Sequence, residues 1–144
     1  NKQQINVMID KIKNSIDTFK GKIIGVLGLS FKPNTDDIRE SPALEIIKIL
    51  EKKGSKLRVY DPVALENAKK LLGSKRITYC KDSYEVANGA HALVVATEWN
   101  QFRMLDMKKI KQLLKEPVLI DLRNVYDPEC VKKLGFLYTS VGRI

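Results

Sequence analysis

Three cations in two irregular segments have the clearest capacity for chemistry in this sequence. Lys32 and Arg39 lie in the stretch 30–41, and Arg123 follows an apolar run at 117–122. Arginine presents a planar fork of N–H donors that matches a phosphate group, and lysine supplies a mobile point charge. A single lysine in so basic a chain is more often a solvated surface residue. Because the three cations share only two segments, we interpret them as an anion site, with phosphate as the favoured ligand.

Acidic and aromatic residues in the same kind of segment allow more than one interpretation. Asp36 and Asp37 could form a carboxylate pair for acid–base catalysis. Capping a helix or holding Arg39 in place is the favoured alternative for that pair. Trp99 could stack on a nucleobase or a sugar, whereas packing against Phe102 at the end of a strand is slightly favoured.

The residues usually associated with nucleophilic or metal chemistry are few. His91 is the one histidine of the sequence, and it begins an apolar segment with no second ligand or nucleophile nearby, so we expect a structural role. Cys80 and Cys130 are far apart and belong to no metal-binding or redox pattern. Because neither thiol has a base near it in sequence, both are expected to be structural. We therefore predict no catalytic residue and no metal site in this chain.

The first element that must position these residues is a helix. A stripe of apolar residues at spacings of 4, 3, 4 and 3 predicts this helix over 2–19, with Gly21 ending it. The stripe consists of Ile5, Ile9, Ile12, Ile16 and Phe19. It either packs on the rest of the chain or belongs to a longer helix that meets a partner chain.

From residue 22 onwards, predicted strands alternate with predicted helices. The strands are placed at 22–29, 56–61, 77–80, 91–97, 117–122 and 136–142. The helices are placed at 42–54, 63–73, 83–90, 107–115 and 128–135, the first of them with Ser41 as its N-cap. This alternation predicts an α/β fold, namely a Rossmann-like, doubly wound, mainly parallel sheet of about six strands in the order 3-2-1-4-5-6, with helices on both faces.

Ligands of such sheets bind at the carboxyl ends of the strands. The segments expected there are 29–41, 61–62, 97–103 and 121–127. They hold most of the unusual residues of the chain: Phe31, Lys32, Asp36, Asp37, Arg39, Asp61, Glu98, Trp99, Asp121, Arg123 and Asn124. This convergence is the strongest functional signal that the residues themselves carry.

The glycines of the first predicted strand do not form a dinucleotide-binding fingerprint. Gly25 and Gly28 have the spacing Gly-x-x-Gly, whereas that fingerprint is Gly-x-Gly-x-x-Gly. The acidic residue after the second strand, Asp61, follows Gly28 by 61 − 28 = 33 residues, where about 20 is usual. We therefore expect the two glycines to serve close packing and the turn.

Composition limits the classes of protein that need to be considered. The chain has 144 residues, with 26 Lys+Arg against 17 Asp+Glu and a net charge of +9, and this length fits one domain. The lysines are spread over the predicted helices without a nucleic-acid-binding motif, so we predict no nucleic-acid partner. No apolar run is long enough to span a membrane and the start has no signal-peptide pattern, so we predict no membrane partner and a cytoplasmic location. The lack of an initiator Met indicates a piece of a longer chain.

Four motifs, in order, resemble the C-terminal UDP-binding domain of the UDP-glucose/GDP-mannose dehydrogenase family. They are GLSFKPNTDDIRESPALEII at 28–47, VYDPVA at 59–64, VVATEWNQFRMLD at 94–106 and DLRNVYDP at 121–128. The resemblance covers all of 21–144, and 1–20 resembles the end of the central helix that connects the two halves of these enzymes. We therefore divide the chain into a connecting helix, 1–20, and a UDP-sugar-binding domain, 21–144.

The resemblance implies part of an enzyme that oxidises the C6 hydroxyl of UDP-glucose to a carboxylate in two NAD-dependent steps. It places Phe31, Lys32 and Arg123 at the UDP-sugar and Arg39 at NAD. It also implies that a separate N-terminal domain holds the catalytic cysteine and most of the NAD site, so this piece alone is expected to be inactive. A homodimer formed through the central helix is expected as well. Leu122 departs from the family pattern, because many relatives have glycine there.

Three alternatives remain open at this point. The chain could be the same domain of a UDP-N-acetylmannosamine or GDP-mannose dehydrogenase, although the segment TEWNQFR at 97–103 favours the UDP-glucose branch. It could be a non-catalytic module that binds a nucleotide or assists assembly. A nucleic-acid-binding protein is the third alternative, and it rests on net charge alone.

Overall fold

Six parallel strands form the centre of the molecule. The computed structural model describes residues 2–73 and 75–141. Its strands are β1 (Ile23–Leu27), β2 (Lys56–Tyr60), β3 (Ile77–Tyr79), β4 (Ala92–Val95), β5 (Val118–Asp121) and β6 (Leu137–Ser140). They pair in the order β3-β2-β1-β4-β5-β6, which confirms the predicted Rossmann-like α/β fold. Residues 1, 74 and 142–144, among them the outer ends of both predicted domains and the end of the last predicted strand, lie outside the described residues.

Helices cover both faces of the sheet. They are α1 (Lys2–Ile16), α2 (Pro42–Lys52), α3 (Leu65–Leu72), α4 (Ser83–Ala87), α5 (Asn100–Arg103), α6 (Met107–Leu113) and α7 (Pro128–Lys133). Helices α1 to α3 share one apolar core with the sheet, and α4 to α7 share a second one on the opposite face. The short α5 was not predicted, since that segment was expected to be part of a loop. Among the described residues, no helix has the length and apolarity needed to cross a membrane.

The apolar stripe of α1 packs on the rest of the same chain. All five of its predicted members are buried, namely Ile5, Ile9, Ile12, Ile16 and Phe19. The helix contacts α2, β5 and β6, which confirms the first of the two alternatives for the stripe. It ends at Ile16 rather than at residue 19, because Asp17 adopts a left-handed φ of 67°.

The strand register brings the loops of interest to one edge of the sheet. Leu27, the last residue of β1, pairs with Tyr60 of β2 and with Val95 of β4. The three strands therefore end at the same level. The chain adds β2 and β3 on one side of β1 and then β4 to β6 on the other side. This is the position at which doubly wound sheets open a crevice for ligands.

Two close contacts fix the surroundings of β1. A Cβ atom at Gly25 would lie 2.6 Å from Val86 Cγ1 of α4, so glycine allows this helix to pack directly on the strand. Ser41 occupies the N-cap position of α2 as predicted, but its hydroxyl does not cap the helix. Ser41 Oγ donates instead to the carbonyl oxygen of Leu29 at 2.8 Å. This hydrogen bond connects the beginning and the end of the long loop after β1.

Candidate functional site

Asp61 holds together the turns that follow β1 and β2. Its side chain is buried, with only 2% of the residue exposed. One carboxylate oxygen, Oδ2, accepts from the backbone N–H groups of Leu29 at 2.8 Å and Ser30 at 3.1 Å. The other, Oδ1, accepts from the N–H groups of Val63 at 2.9 Å and Ala64 at 2.8 Å. These four donors offset the loss of hydration of a buried carboxylate.

The same bonds remove the usual dinucleotide site from the turn after β1. In dinucleotide-binding folds the backbone amides of this turn face the pyrophosphate; here the amides of Leu29 and Ser30 face Asp61. Gly28 has a φ of +99°, and a Cβ there would lie 2.5 Å from Thr97 Cβ. The turn therefore does not fit NAD, and the expectation that its glycines serve packing and the turn is confirmed.

The loop that carries Phe31 and Lys32 is fixed through its backbone. Thr97 Oγ1, after β4, donates to the carbonyl oxygen of Ser30 at 3.0 Å. Ser30 Oγ donates to the carbonyl oxygen of Lys32 at 2.9 Å, and the N–H of Phe31 donates to the carbonyl oxygen of Asp37 at 2.9 Å. Both Phe31 and Lys32 are exposed. Their side chains are therefore available to a ligand while their main chain is held in place.

Arg39 is held by Asp37 within the same loop. Its Nε and Nη2 atoms donate to Oδ1 and Oδ2 of that carboxylate, each at 3.0 Å. These hydrogen bonds, together with a bond from the Arg39 N–H, lower the pKa of Asp37 to about 2. The Arg39 side chain is 88% exposed, so the ion pair orients it without burying it. Holding Arg39, rather than acid–base catalysis with Asp36, is the role that the structure gives Asp37.

Arg123 is oriented from two sides at the ends of β4 and β5. Its Nη2 atom donates to Glu98 Oε1 at 2.7 Å, and the two side chains are 34% and 31% exposed. Its backbone N–H donates to Asp121 Oδ1 at 3.2 Å. Leu122, the departure from the family pattern, is buried in the core, and its N–H donates to the Val95 carbonyl oxygen at 3.0 Å. The guanidinium thus stands partly exposed on a fixed loop.

Asp121 holds the loop after β5 through hydrogen bonds to its backbone, as Asp61 holds the loop after β2. It is fully buried, and it accepts from the N–H groups of Val125 at 3.0 Å and Tyr126 at 2.9 Å. The hydroxyl of Tyr138 on β6 also donates to it, at 2.8 Å. Burial raises the pKa of Tyr126, whose hydroxyl stays protonated and donates to the carbonyl oxygen of Phe102 at 2.7 Å.

These bonds connect four loops into one structure, which we call the carboxyl rim (residues 28–41, 61–64, 96–99 and 121–127). Asp61 joins the loops after β2 and β1, Thr97 joins the loops after β1 and β4, and the Glu98–Arg123 pair joins the loops after β4 and β5. Phe31 and Lys32 stand on one loop of the rim and Arg123 on another. Arg39 lies on the same loop as Phe31 but is paired only locally. The carboxyl rim therefore presents cations that can bind an anion.

An open groove of about 610 Å³ lies against the rim. It is lined by Asn34, Thr35, Asp36, Val63 and Trp99. Trp99 packs against the core that α4 to α7 share with the sheet, to which Phe102 belongs, in line with the favoured alternative. Its indole also borders the groove, and its Nε1 atom is buried without a hydrogen-bond partner among the described residues.

Two residues of the rim were missed in the sequence. Ser30 and Thr97 link the loop of Phe31 to the next loop, and each follows shortly after a buried strand. A hydroxyl residue shortly after the end of a parallel strand is the signal that could have identified them, since it can bridge to the loop of the neighbouring strand.

His91 has the structural role that its position predicts. Its Nδ1 atom accepts from the N–H of Ile23 at 3.1 Å. Burial, together with the charges of Lys22 and Lys115, lowers the pKa of His91. The imidazole is therefore the neutral acceptor that this hydrogen bond requires, at the opposite end of the sheet from the carboxyl rim.

Both thiols are free, and they differ in exposure. Cys80 is buried, and burial raises its pKa to about 11; the thiolate is disfavoured. Cys130 is exposed and not part of a disulfide. Within the ranges 2–73 and 75–141, no group of three or more His, Cys, Asp or Glu side chains could hold a metal ion.

Comparison with known proteins gives a consistent result. Residues 25–128 match the family described as "UDP-glucose/GDP-mannose dehydrogenase family, UDP binding domain". The UDP-glucose 6-dehydrogenase of Rickettsia conorii is 44% identical over 143 residues, which is 99% of this chain and 33% of that protein. This chain therefore spans about a third of the length of the curated relatives that it matches.

Solved structures agree with the sequence comparison. A UDP-glucose dehydrogenase from Pyrobaculum islandicum superimposes with a TM-score of 0.82 and 28% identity, covering 100% of this chain and 31% of that one. A UDP-D-ManNAc dehydrogenase from Pyrococcus horikoshii superimposes with a TM-score of 0.80 and 28% identity, covering 99% of this chain and 32% of that one.

Proposed function

Because this chain belongs to the UDP-glucose/GDP-mannose dehydrogenase family and contains its UDP-binding domain, we propose that it is the UDP-sugar-binding part of an NAD-dependent UDP-glucose 6-dehydrogenase. The proposed reaction of the whole enzyme oxidises C6 of UDP-glucose from an alcohol to a carboxylate, with two NAD⁺ as oxidants and one water supplying the second oxygen. The part proposed for this chain is to bind and orient the nucleotide sugar.

One observation carries this proposal. The loop with Phe31 and Lys32 and the loop with Arg123 are linked through Thr97 and Glu98 at the carboxyl end of the sheet. A UDP-sugar has a pyrophosphate between two neutral polar rings, so it needs cations at one place and flat or apolar contacts beside them. Two cations and an exposed aromatic ring on linked loops offer that combination.

Each proposed contact follows from the donors available. Arg123 uses Nη2 for Glu98, so Nε and Nη1 are the donors assigned to the pyrophosphate in this proposal. Lys32 would add a second positive charge. The ring of Phe31, which is 46% exposed, would pack against the sugar or the base and lose exposure on binding.

NAD is assigned mainly to the absent N-terminal domain. The turn after β1 does not fit a dinucleotide, because the backbone N–H groups of Leu29 and Ser30 already donate to Asp61. In the whole enzyme, NAD would be the hydride acceptor. From this chain only Arg39, oriented by Asp37 and exposed at the loop surface, is proposed to reach that cofactor. Its Nη1 atom takes no part in the pair with Asp37 and is the donor we assign to it.

The remaining partners of the proposal are the N-terminal dehydrogenase domain and a second copy of the enzyme. The stripe of α1 is already buried within this chain, so a homodimer would have to use other faces of that helix. We further propose a cytoplasmic location, which two cysteines outside any disulfide fit.

Calorimetric titration of UDP-glucose and UDP tests the binding role. We expect weak but measurable binding to this chain, reduced at least about tenfold by Arg123→Ala. Lys132→Ala is the control, since it removes one positive charge from an exposed position of α7 outside the carboxyl rim. Equal heats from the starting protein and R123A would refute the role of Arg123.

Kinetics of the complete enzyme test Lys32. Lys32→Ala is expected to raise KM or lower kcat for UDP-glucose, because a phosphate contact is lost while the loop backbone stays fixed. Lys132→Ala, an exposed position on α7, should leave both constants unchanged. Unchanged constants in K32A would remove Lys32 from the site.

A UDP-N-acetylmannosamine dehydrogenase is the second candidate. The Pyrococcus horikoshii structure superimposes almost as well as the UDP-glucose dehydrogenase, with TM-scores of 0.80 and 0.82. Assaying the complete enzyme with UDP-glucose, UDP-N-acetylmannosamine and GDP-mannose distinguishes the candidates. A higher kcat/KM for UDP-N-acetylmannosamine than for UDP-glucose would select the second.

A further inference from the structure

A concave basic surface lies at the amino end of the sheet, on the side away from the carboxyl rim. A cavity of about 460 Å³ opens there between the starts of β1, β2 and β3. Five of its lining residues are cationic and exposed: Lys20, Lys52, Lys53, Lys56 and Arg76. The two remaining lining residues are Gly21 and Gly54. We call these five cations the amino-end basic site.

The five cations come from separate parts of the chain. Lys20 precedes β1, Lys56 begins β2, and Arg76 precedes β3, while Lys52 and Lys53 end α2. A cation in the last turn of a helix offsets the partial negative charge of the helix C-terminus. That explanation accounts for the two residues of α2 only. The other three are brought to the same cavity by the strand order.

The backbone around the cavity is fixed. The N–H of Gly21 donates to the carbonyl oxygen of Gly54 at 3.1 Å, and the N–H of Lys56 donates to the carbonyl oxygen of Lys22 at 2.9 Å. Lys53 Nζ lies 5.8 Å from the ring centroid of Phe19, which restricts that side chain. The main chain that carries the cations is therefore fixed before a ligand binds, and less conformational entropy is lost on binding.

No carboxylate lines the cavity among the described residues. Glu51, next in sequence to Lys52, accepts from the backbone N–H of Arg76 at 3.2 Å. The Glu51 carboxylate is therefore engaged by a backbone N–H group at one side of the site. Five cations that face one concavity repel one another at low ionic strength, and an anion with several charges relieves this repulsion.

We propose that the amino-end basic site binds a small polyphosphate anion, with the class of inorganic tripolyphosphate or a nucleoside triphosphate as its ligand. The volume of the cavity lies in the range of small-molecule sites. An extended nucleic acid fits less well, because the five cations surround one cavity instead of following a stripe. The site is separate from the proposed UDP-sugar site and does not depend on that proposal.

Titration with sodium tripolyphosphate, followed by amide chemical shifts and calorimetry, tests the site. R123A is the starting protein, so that a phosphate contact at the carboxyl rim does not contribute. The largest shifts are expected at Lys20, Lys52 to Lys56 and Arg76. Adding Lys56→Gln and Arg76→Gln should weaken binding at least about tenfold. Adding Lys132→Gln and Lys133→Gln, an equal charge loss on α7, should change it less than twofold.

Three results would overturn the proposal. Equal weakening by the two double variants would mean general charge attraction only. The absence of shifts at millimolar tripolyphosphate would mean that there is no site. A single-stranded oligonucleotide that binds far more tightly than tripolyphosphate, and loses affinity in K56Q/R76Q, would assign the surface to nucleic acid instead. Thermal unfolding of each variant checks that the fold is retained. UDP-glucose titration of K56Q/R76Q with Arg123 intact reports separately on the carboxyl rim.

Discussion

Arg123 Nη2 lies 2.7 Å from Glu98 Oε1, and this bond joins the loop after β5 to the loop after β4. The pair is about one-third exposed on each side, so water screens it only in part. A guanidinium held in this way is oriented before a ligand arrives, and less side-chain entropy is lost on binding.

A double-mutant cycle of Glu98→Ala and Arg123→Ala measures the strength of this pair. We expect a coupling free energy of unfolding of about 0.5–1 kcal/mol, decreasing as salt is added, since the pair is partly exposed. The measurement is urea unfolding of the four proteins at low and high ionic strength. A coupling of zero at low salt would mean that Glu98 does not hold Arg123.

Asp61→Asn should destabilise the fold strongly. Asparagine keeps the shape but loses one acceptor oxygen, so two of the four backbone N–H groups of Leu29, Ser30, Val63 and Ala64 lose their partner. We expect a loss of about 2–4 kcal/mol in the free energy of unfolding. Asp10→Asn, at an exposed position of α1, is the control and should change stability by less than about 0.5 kcal/mol. Similar values for both variants would contradict the structural role of Asp61.

Gly28→Ala should cost more stability than Gly73→Ala. Both glycines have positive φ, +99° and +76°, but a Cβ at Gly28 would lie 2.5 Å from Thr97 whereas nothing lies within 4 Å of one at Gly73. The difference in unfolding free energy should therefore be at least about 1 kcal/mol, because strain alone acts at Gly73 and a clash adds to it at Gly28. Thermal melts of the two variants provide the comparison.

The Arg39–Asp37 pair should appear in an acid titration. Because Arg39 lowers the pKa of Asp37 from its ordinary 3.8 to about 2, the charged pair contributes to stability above pH 3.8 and that contribution disappears as pH falls through about 2. Carbon NMR of the Asp37 carboxyl should give a midpoint near 2, moving up towards the ordinary value in Arg39→Gln. A midpoint that stays unchanged in R39Q would mean that another group lowers this pKa.

Most of the fold could be predicted from local patterns. Alternation of apolar strands with helices predicted the six-stranded order, and the stripe from Ile5 to Phe19 predicted a helix with a buried face. The end of α1 and the short α5 could not be predicted in this way. A left-handed Asp17 stops the first helix, and α5 is a single turn whose Phe102 is buried by the opposite core, so both depend on contacts beyond the segment itself.

The residue types of the carboxyl rim were visible in the sequence, but their partners were not. Lys32, Arg39 and Arg123 stood out as cations, and Asp61, Glu98 and Asp121 as acids at strand ends. A carboxylate after a strand could bind a ribose, a metal or a backbone turn. Only the neighbouring loop decides which, and that loop is supplied by a strand far away in sequence.

The sequence by itself determined the sheet, its order and the family, because apolar periodicity and contiguous motifs are local properties of a chain. The tertiary structure alone decided that Asp61 occupies the turn where a dinucleotide would bind and that Glu98 orients Arg123. It also brought Lys20, Lys56 and Arg76 to one cavity. The physical reason is the same in each case. Hydrogen bonds and electrostatic fields depend on distances in space, and parallel strands place side by side residues that the sequence keeps tens of positions apart.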